Sequence, residues 1–197
     1  MVRRNNERRA ALLDGAIEVL AAQGARGLTF RAVDTEAGVP PGTTSNYFAN
    51  RDQLLTQAGG RVYERLQPDP ATMEASLAGP PTREHFMTLM TEVVGRVSGF
   101  RSGYLALLEL RLEATRNAEL RAVLTDRVRA DVEANVAHQA ASGLPGDATA
   151  VKLLISAYNW LILEQLTLPG VFDEAERAAL VRAAVERLIP ADPTNPN

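Results

Sequence analysis

Apolar residues recur at helical spacing along almost the whole chain, and no stretch alternates with the period of two that a half-buried strand requires. From Glu7 to Gly24 the apolar positions are Ala11, Leu12, Ala16, Ile17, Val19 and Leu20. Asn50 then caps a helix carrying Leu54, Leu55, Ala58, Val62, Tyr63 and Leu66, with Gln53 three residues on as a capping box. Pro68 and Pro70 stop that helix, and the Pro-, Gly- and Ala-rich stretch to Pro81 reads as a loop holding one weak helical turn. Helices follow from Thr82 to Ser98, from Gly103 to Thr115, and from an Asn117 cap to Ala141. Asp147 caps a helix that is apolar on nearly every side from Val151 to Leu168, as expected of a helix buried between layers. Asp173 with Glu176 opens a last helix to Ile189, and PADPTNPN reads as a frayed tail. The pattern predicts an all-α fold of about nine helices.

The stretch Thr29–Phe48, TFRAVDTEAGVPPGTTSNYF, stands apart. Phe30, Val33 and Ala37 give a short amphipathic helix that Thr29 can cap and Gly38 can end. Pro41 suits the first position of a second helix, running to Tyr47 and crowded with Thr43, Thr44, Ser45 and Asn46. A capped helix, a tight turn and a small polar helix free to meet base edges are the requirements of a helix-turn-helix.

Charge sharpens this picture. Residues 1–66 carry a net charge of +2 and residues 67–197 a net charge of −5, giving −3 overall. The first nine residues hold Arg3, Arg4, Arg8 and Arg9 against Glu7. A basic N-terminus on an acidic chain suits a nucleic-acid contact at one end, or else a solvated tail. Cysteine is absent, which excludes disulfides and thiolate chemistry and suits a reducing cytoplasm. The pattern contains neither a secretory leader nor an apolar run of membrane-spanning length.

Catalytic chemistry finds no foothold. His85 and His138 are the only histidines and lie far apart. No HExxH, GxSxG, P-loop or GxGxxG motif occurs. Glu109 and Glu113 lie one helical turn apart, but Arg111 and Arg116 nearby point to a salt-bridged surface. No metal, cofactor or catalytic residue is expected.

Residues 10–55 resemble the DNA-binding domain of the TetR (tetracycline-repressor) family of transcriptional regulators. The matching residues are Ala16–Ile17 and Leu20, Gly24, Thr29–Phe30–Arg31, Ala37–Gly38–Val39, Gly42–Thr43, Tyr47–Phe48, and Arg51 with Leu54–Leu55. Asp34 departs from the pattern, standing where the family usually has a small apolar residue, and Thr44, Ser45 and Asn46 replace common Leu and Tyr residues.

The resemblance implies a helix-turn-helix domain over residues 1–66 and a ligand-binding and dimerisation domain over 67–197. It implies a homodimeric repressor that binds a palindromic double-stranded operator and leaves it on binding a small apolar or amphipathic ligand. A helical small-molecule binder with weak or non-specific DNA binding is the alternative. Thr43, Thr44, Ser45 and Asn46 are the candidate base readers, with Arg31 beside them. Thr29, Tyr47 and Arg51 occupy positions that commonly meet phosphate. Candidate ligand contacts are Phe86, Met90, Phe100, Tyr104, Leu108, His138, Asn159 and Trp160. The candidate dimer seam is Leu154, Leu161, Leu180, Val181, Ala184, Val185 and Leu188 on the last two helices.

Overall fold

Short polar side chains start most of the helices. The computed structural model of the chain describes residues 2–190 and contains nine α-helices among them. They are α1 (Val2–Gly27), α2 (Phe30–Glu36), α3 (Arg51–Leu66), α4 (Pro70–Ala78), α5 (Arg83–Gly99), α6 (Arg101–Ala114), α7 (Ala118–Ser142), α8 (Ala148–Thr167) and α9 (Glu174–Leu188). Thr29, Asn50, Asp147 and Asp173 each accept a backbone N–H of the first turn, as their side chains predict. Asp173 and Glu176 form a complete capping box. At Asn50 the box is altered, because Gln53 accepts the N–H of Ala49 instead. The stretch expected to be a loop holds α4, which Asp69 caps and Pro70 opens at a position needing no N–H. The expected C-terminal tail lies outside the described residues apart from Pro190.

Helix α1 begins at Val2, earlier than the apolar pattern suggests. Gly24 breaks its helical path with φ 69°, the left-handed region that glycine enters at low cost.

The helices gather into two compact units. One comprises the chain up to Gln67 together with Phe100–Val128; the other comprises Pro68–Gly99 and the chain from Arg129. Two consecutive segments divided near residue 66 would not reproduce this. Leu107 and Leu110 of α6, and Leu120 and Leu124 of α7, share one core with Leu12, Ile17 and Leu20 of α1 and Leu54 and Leu55 of α3. Each fully buried leucine or isoleucine contributes about 1.5–3 kcal/mol. In this unit α1 packs against α2, α3 and α6. In the second unit α5, α8 and α9 pack on one another around Phe86, Leu154, Leu161, Val181 and Val185.

Gly59 and Gly60 lie inside α3 and meet different surroundings. A Cβ at Gly59 would stand 3.3 Å from Leu124 Cδ2 and 3.5 Å from Leu110 Cδ1, whereas one at Gly60 meets nothing within 4 Å. The close approach is therefore to α6 and α7. Gly60→Ala is expected to raise stability by about 0.5–1 kcal/mol, the helix-propensity difference. Gly59→Ala should gain less, because the leucine methyls must give way. Urea unfolding of both variants checks this; equal gains would contradict the packing difference.

Candidate nucleic-acid interface and sensing region

Asp34 is 2% exposed, and a carboxylate so placed must be paired. Its Oδ2 accepts the N–H of Gly42 at 2.7 Å; its Oδ1 accepts the N–H of Thr44 at 2.7 Å and the Thr44 hydroxyl at 2.5 Å. Burial pushes the Asp34 carboxyl up, but these hydrogen bonds outweigh it and hold the group below its ordinary value. The side chain that departs from the family pattern thus ties α2 to the segment after it.

That segment is a turn ending in a short 3-10 helix, Thr44–Asn46, and not the α-helix expected from Pro41 to Tyr47. Gly42, at φ 88°, lies in the left-handed region, so a helix starting at Pro41 cannot pass through it. Thr44 is correspondingly not a base reader: it is fully buried and its hydroxyl is committed to Asp34. Ser45 and Asn46 are exposed and Thr43 is half-buried. The Thr43 hydroxyl donates to Pro40 O at 2.6 Å and that of Ser45 to Gly42 O at 2.8 Å, leaving oxygen lone pairs as acceptors. Arg31 and Thr29 are exposed, and Thr29 Oγ1 accepts the N–H of Ala32 at 3.1 Å. Tyr47 is half-buried against the core.

Arg51 also differs from expectation. Its guanidinium donates to Ala25 O at 2.5 Å and to Glu113 at 3.3 Å, so it holds the protein together instead of projecting toward phosphate. Glu113 also pairs with Arg116 at 3.1 Å, and these partners hold its carboxyl below the ordinary value. Glu109 Oε2 accepts the N–H of Ala25 at 3.0 Å, beside the break at Gly24. The two glutamates of α6 thus grip the end of α1, and only part of the expected salt-bridged surface remains.

Arg9 is a structural residue that sequence reasoning missed. Its guanidinium donates to Gln57 Oε1 at 2.6 and 2.9 Å and to Tyr47 O at 3.0 Å, and lies 4.7 Å from the Phe48 ring centroid. One side chain of α1 thereby braces the 3-10 turn against α3. Its position among basic neighbours hid this role, since its partners lie 38 and 48 residues away.

The expected ligand contacts divide between the two units. Phe100, Tyr104 and Leu108 belong to the first unit, where the Phe100 ring lies 3.9 Å beneath the Arg65 guanidinium and Tyr104 is buried. Phe86, Met90, His138, Asn159 and Trp160 belong to the second. There Phe86 is core, Met90 packs against that core, and His138 meets the Ser76 hydroxyl at 3.2 Å. Asn159 and Trp160 are exposed, Trp160 at 58%, so they do not line an interior site. Because α8 is apolar all round, periodicity could not show which face turns inward. Most residues expected at the dimer seam turn inward for the same reason: Leu154, Leu161, Val181 and Val185 fill the core of their own chain, while Ala184 and Leu188 pack against it. Leu180 remains exposed, as do Leu153 and Trp160. No described helix is long and apolar enough to cross a membrane.

Comparison with known proteins places this geometry in context. Residues 12–58 match the family model for bacterial regulatory proteins of the tetR family, and residues 81–191 match the tetracyclin repressor-like C-terminal domain. An HTH-type transcriptional regulator encoded in the dhlA 5' region of Xanthobacter autotrophicus is 26% identical over 187 residues, covering 94% of this chain and 92% of that protein. The structure of a TetR-family member from Streptomyces coelicolor superposes with a TM-score of 0.69 at 30% identity, covering 94% of this chain and 99% of that one. The multidrug binding protein EbrR, solved with ethidium, has a TM-score of 0.65 at 28% identity, covering 93% of this chain and 99% of that one.

Asp34→Asn is expected to destabilise the chain by about 1–3 kcal/mol, since an amide cannot accept all three donors. The depressed carboxyl contributes stability above its ordinary value of 3.8, and this is lost as pH falls through the lower folded-state value. Urea unfolding across that acid range should show a flatter pH dependence for the variant; parallel curves would contradict it. Arg51→Ala should cost about 1–2 kcal/mol of stability while leaving the salt slope of DNA binding unchanged, which titrations at several salt concentrations would reveal.

Proposed function

Because the chain belongs to the TetR family and is a ligand-responsive regulator of transcription, we propose that it is a homodimeric repressor of a palindromic operator, released by a small apolar or amphipathic molecule. The observation that carries the DNA reading is the turn braced by Asp34, which leaves Ser45 and Asn46 exposed and Thr43 half-buried beside them while hydrogen bonds fix its backbone. Asn46 can pair with adenine through its amide, and the hydroxyl groups can meet either base type. Thr29 and Arg31 lie nearby in sequence at the start of α2 and supply backbone-directed contacts. The repressor works in the cytoplasm, beside its DNA.

The exposed residues Leu153 and Trp160 on α8 and Leu180 on α9 supply the dimer seam in this reading. Leu153 and Trp160 are seven residues apart and share one side of the helix. A second copy would cover them about a two-fold axis and hold the two reading turns one DNA turn, roughly 34 Å, apart.

Selection of bound sequences from random DNA should return a palindrome; unselective recovery would reject the operator. On the selected site, Asn46→Ala should weaken binding by about 1–3 kcal/mol, whereas an unchanged affinity would remove Asn46 from base reading. Trp160→Asp should shift the chain from dimer to monomer in sedimentation and weaken operator binding with it. A variant that remains dimeric would move the interface elsewhere.

A further inference from the structure

Three buried side-chain polar atoms lack a hydrogen-bond partner among the described residues: His85 Nε2, Arg96 Nε and the Tyr158 hydroxyl. All three lie on α5 and α8 of the second unit. His85 is only half-buried, with its ring against Gly79, where even a Cβ would come within 1.9 Å of Nε2. Tyr158 is different. It is 5% exposed and belongs to an otherwise apolar core that includes Phe86, Leu154, Leu161 and Val185, with Met87, Met90 and Val94 packed against it. A phenylalanine would fill that place without an unpaired hydroxyl, so the oxygen is a liability to the isolated fold.

Met87, Met90 and Val94 all come from α5, which packs against α8. Methionine is the core residue that yields most readily to a guest. The Tyr158 hydroxyl can accept as well as donate, but its proton is left without an acceptor among the described residues.

We propose that the Tyr158 hydroxyl is the polar contact for the small molecule this regulator senses, and that the ligand is an apolar molecule bearing a hydrogen-bond acceptor, neutral or anionic. This rests on the ligand-release reading above and narrows its chemistry.

The test uses the full chain with ring-labelled tyrosine and four probes sharing one alkyl chain: decane, decanol, decanoate and decyltrimethylammonium. Decanol and decanoate should shift the Tyr158 resonance, which is assigned by its absence in Tyr158→Phe. Calorimetry should show that variant binding both probes at least about tenfold more weakly, the loss expected for one hydrogen bond in an apolar site. Its melting temperature should equal or exceed that of the wild type, because an unpaired hydroxyl has been removed. Unchanged affinity in Tyr158→Phe, preference for the ammonium probe, binding of decane as tight as that of decanol, or binding of none of the four overturns the proposal. Should the variant fail to fold, Tyr158 is assigned by elimination from Tyr47→Phe, Tyr63→Phe and Tyr104→Phe, and the wild-type resonance shifts still decide. Operator selection is performed without any ligand, so a palindrome recovered by a chain that ignores these probes rejects this site and leaves the DNA reading standing.

Discussion

The candidate DNA-reading turn depends on one buried carboxylate. Asp34 accepts two backbone N–H groups and a hydroxyl from a segment that has no α-helix of its own to satisfy them. Hydrogen bonds to a charged acceptor contribute about 1.5–3 kcal/mol each, enough to offset the desolvation of the acid and to fix a 3-10 turn that propensity alone would not. The consequence is a division of labour among adjacent residues: Thr44 holds, while Thr43, Ser45 and Asn46 remain at or near the surface.

Around this turn the first unit is braced at several points by side chains that reach across long stretches of sequence. Arg9 ties α1 to the carbonyl of Tyr47 and to Gln57. Asp14 receives Arg61 in a two-pronged pair at 2.9 and 3.0 Å and Arg65 at 3.3 Å, joining α1 to α3. Glu109 and Glu113 of α6 seize the end of α1 directly and through Arg51. Partly exposed pairs of this kind are individually weak. Their geometry matters more than their energy, because each fixes where one helix meets the next. A signal can alter the turn only by favouring one arrangement of these contacts over another.

Local chemistry made much of the fold legible. Thr29, Asn50, Asp147 and Asp173 announced their helices because a cap acts within three residues, and Gly24 and Gly38 marked breaks that only glycine makes cheaply. What stayed hidden depended on distant partners or on facing. Arg51 resembled a phosphate contact because Glu113 is 62 residues away. Thr44 resembles its exposed neighbours in sequence because its acceptor, Asp34, lies ten residues back. On α8 the composition shows burial but not direction, so Trp160 reads as inward and Val185 of α9 as outward, the reverse of what the structure has.

The separation of Thr44 from its neighbours also bears on how such a regulator diversifies. A position that both reads a base and supports the backbone can change only at the expense of folding. Here the supporting role falls on Asp34, Gly42 and Thr44, with a further bond from the Ser45 hydroxyl to Gly42 O, and the Asn46 side chain is relieved of it. With Asn46 reading a base as proposed, duplicated copies of the gene could drift there toward new operators with little loss of stability, while the Asp–Thr pair would have to be inherited or lost together.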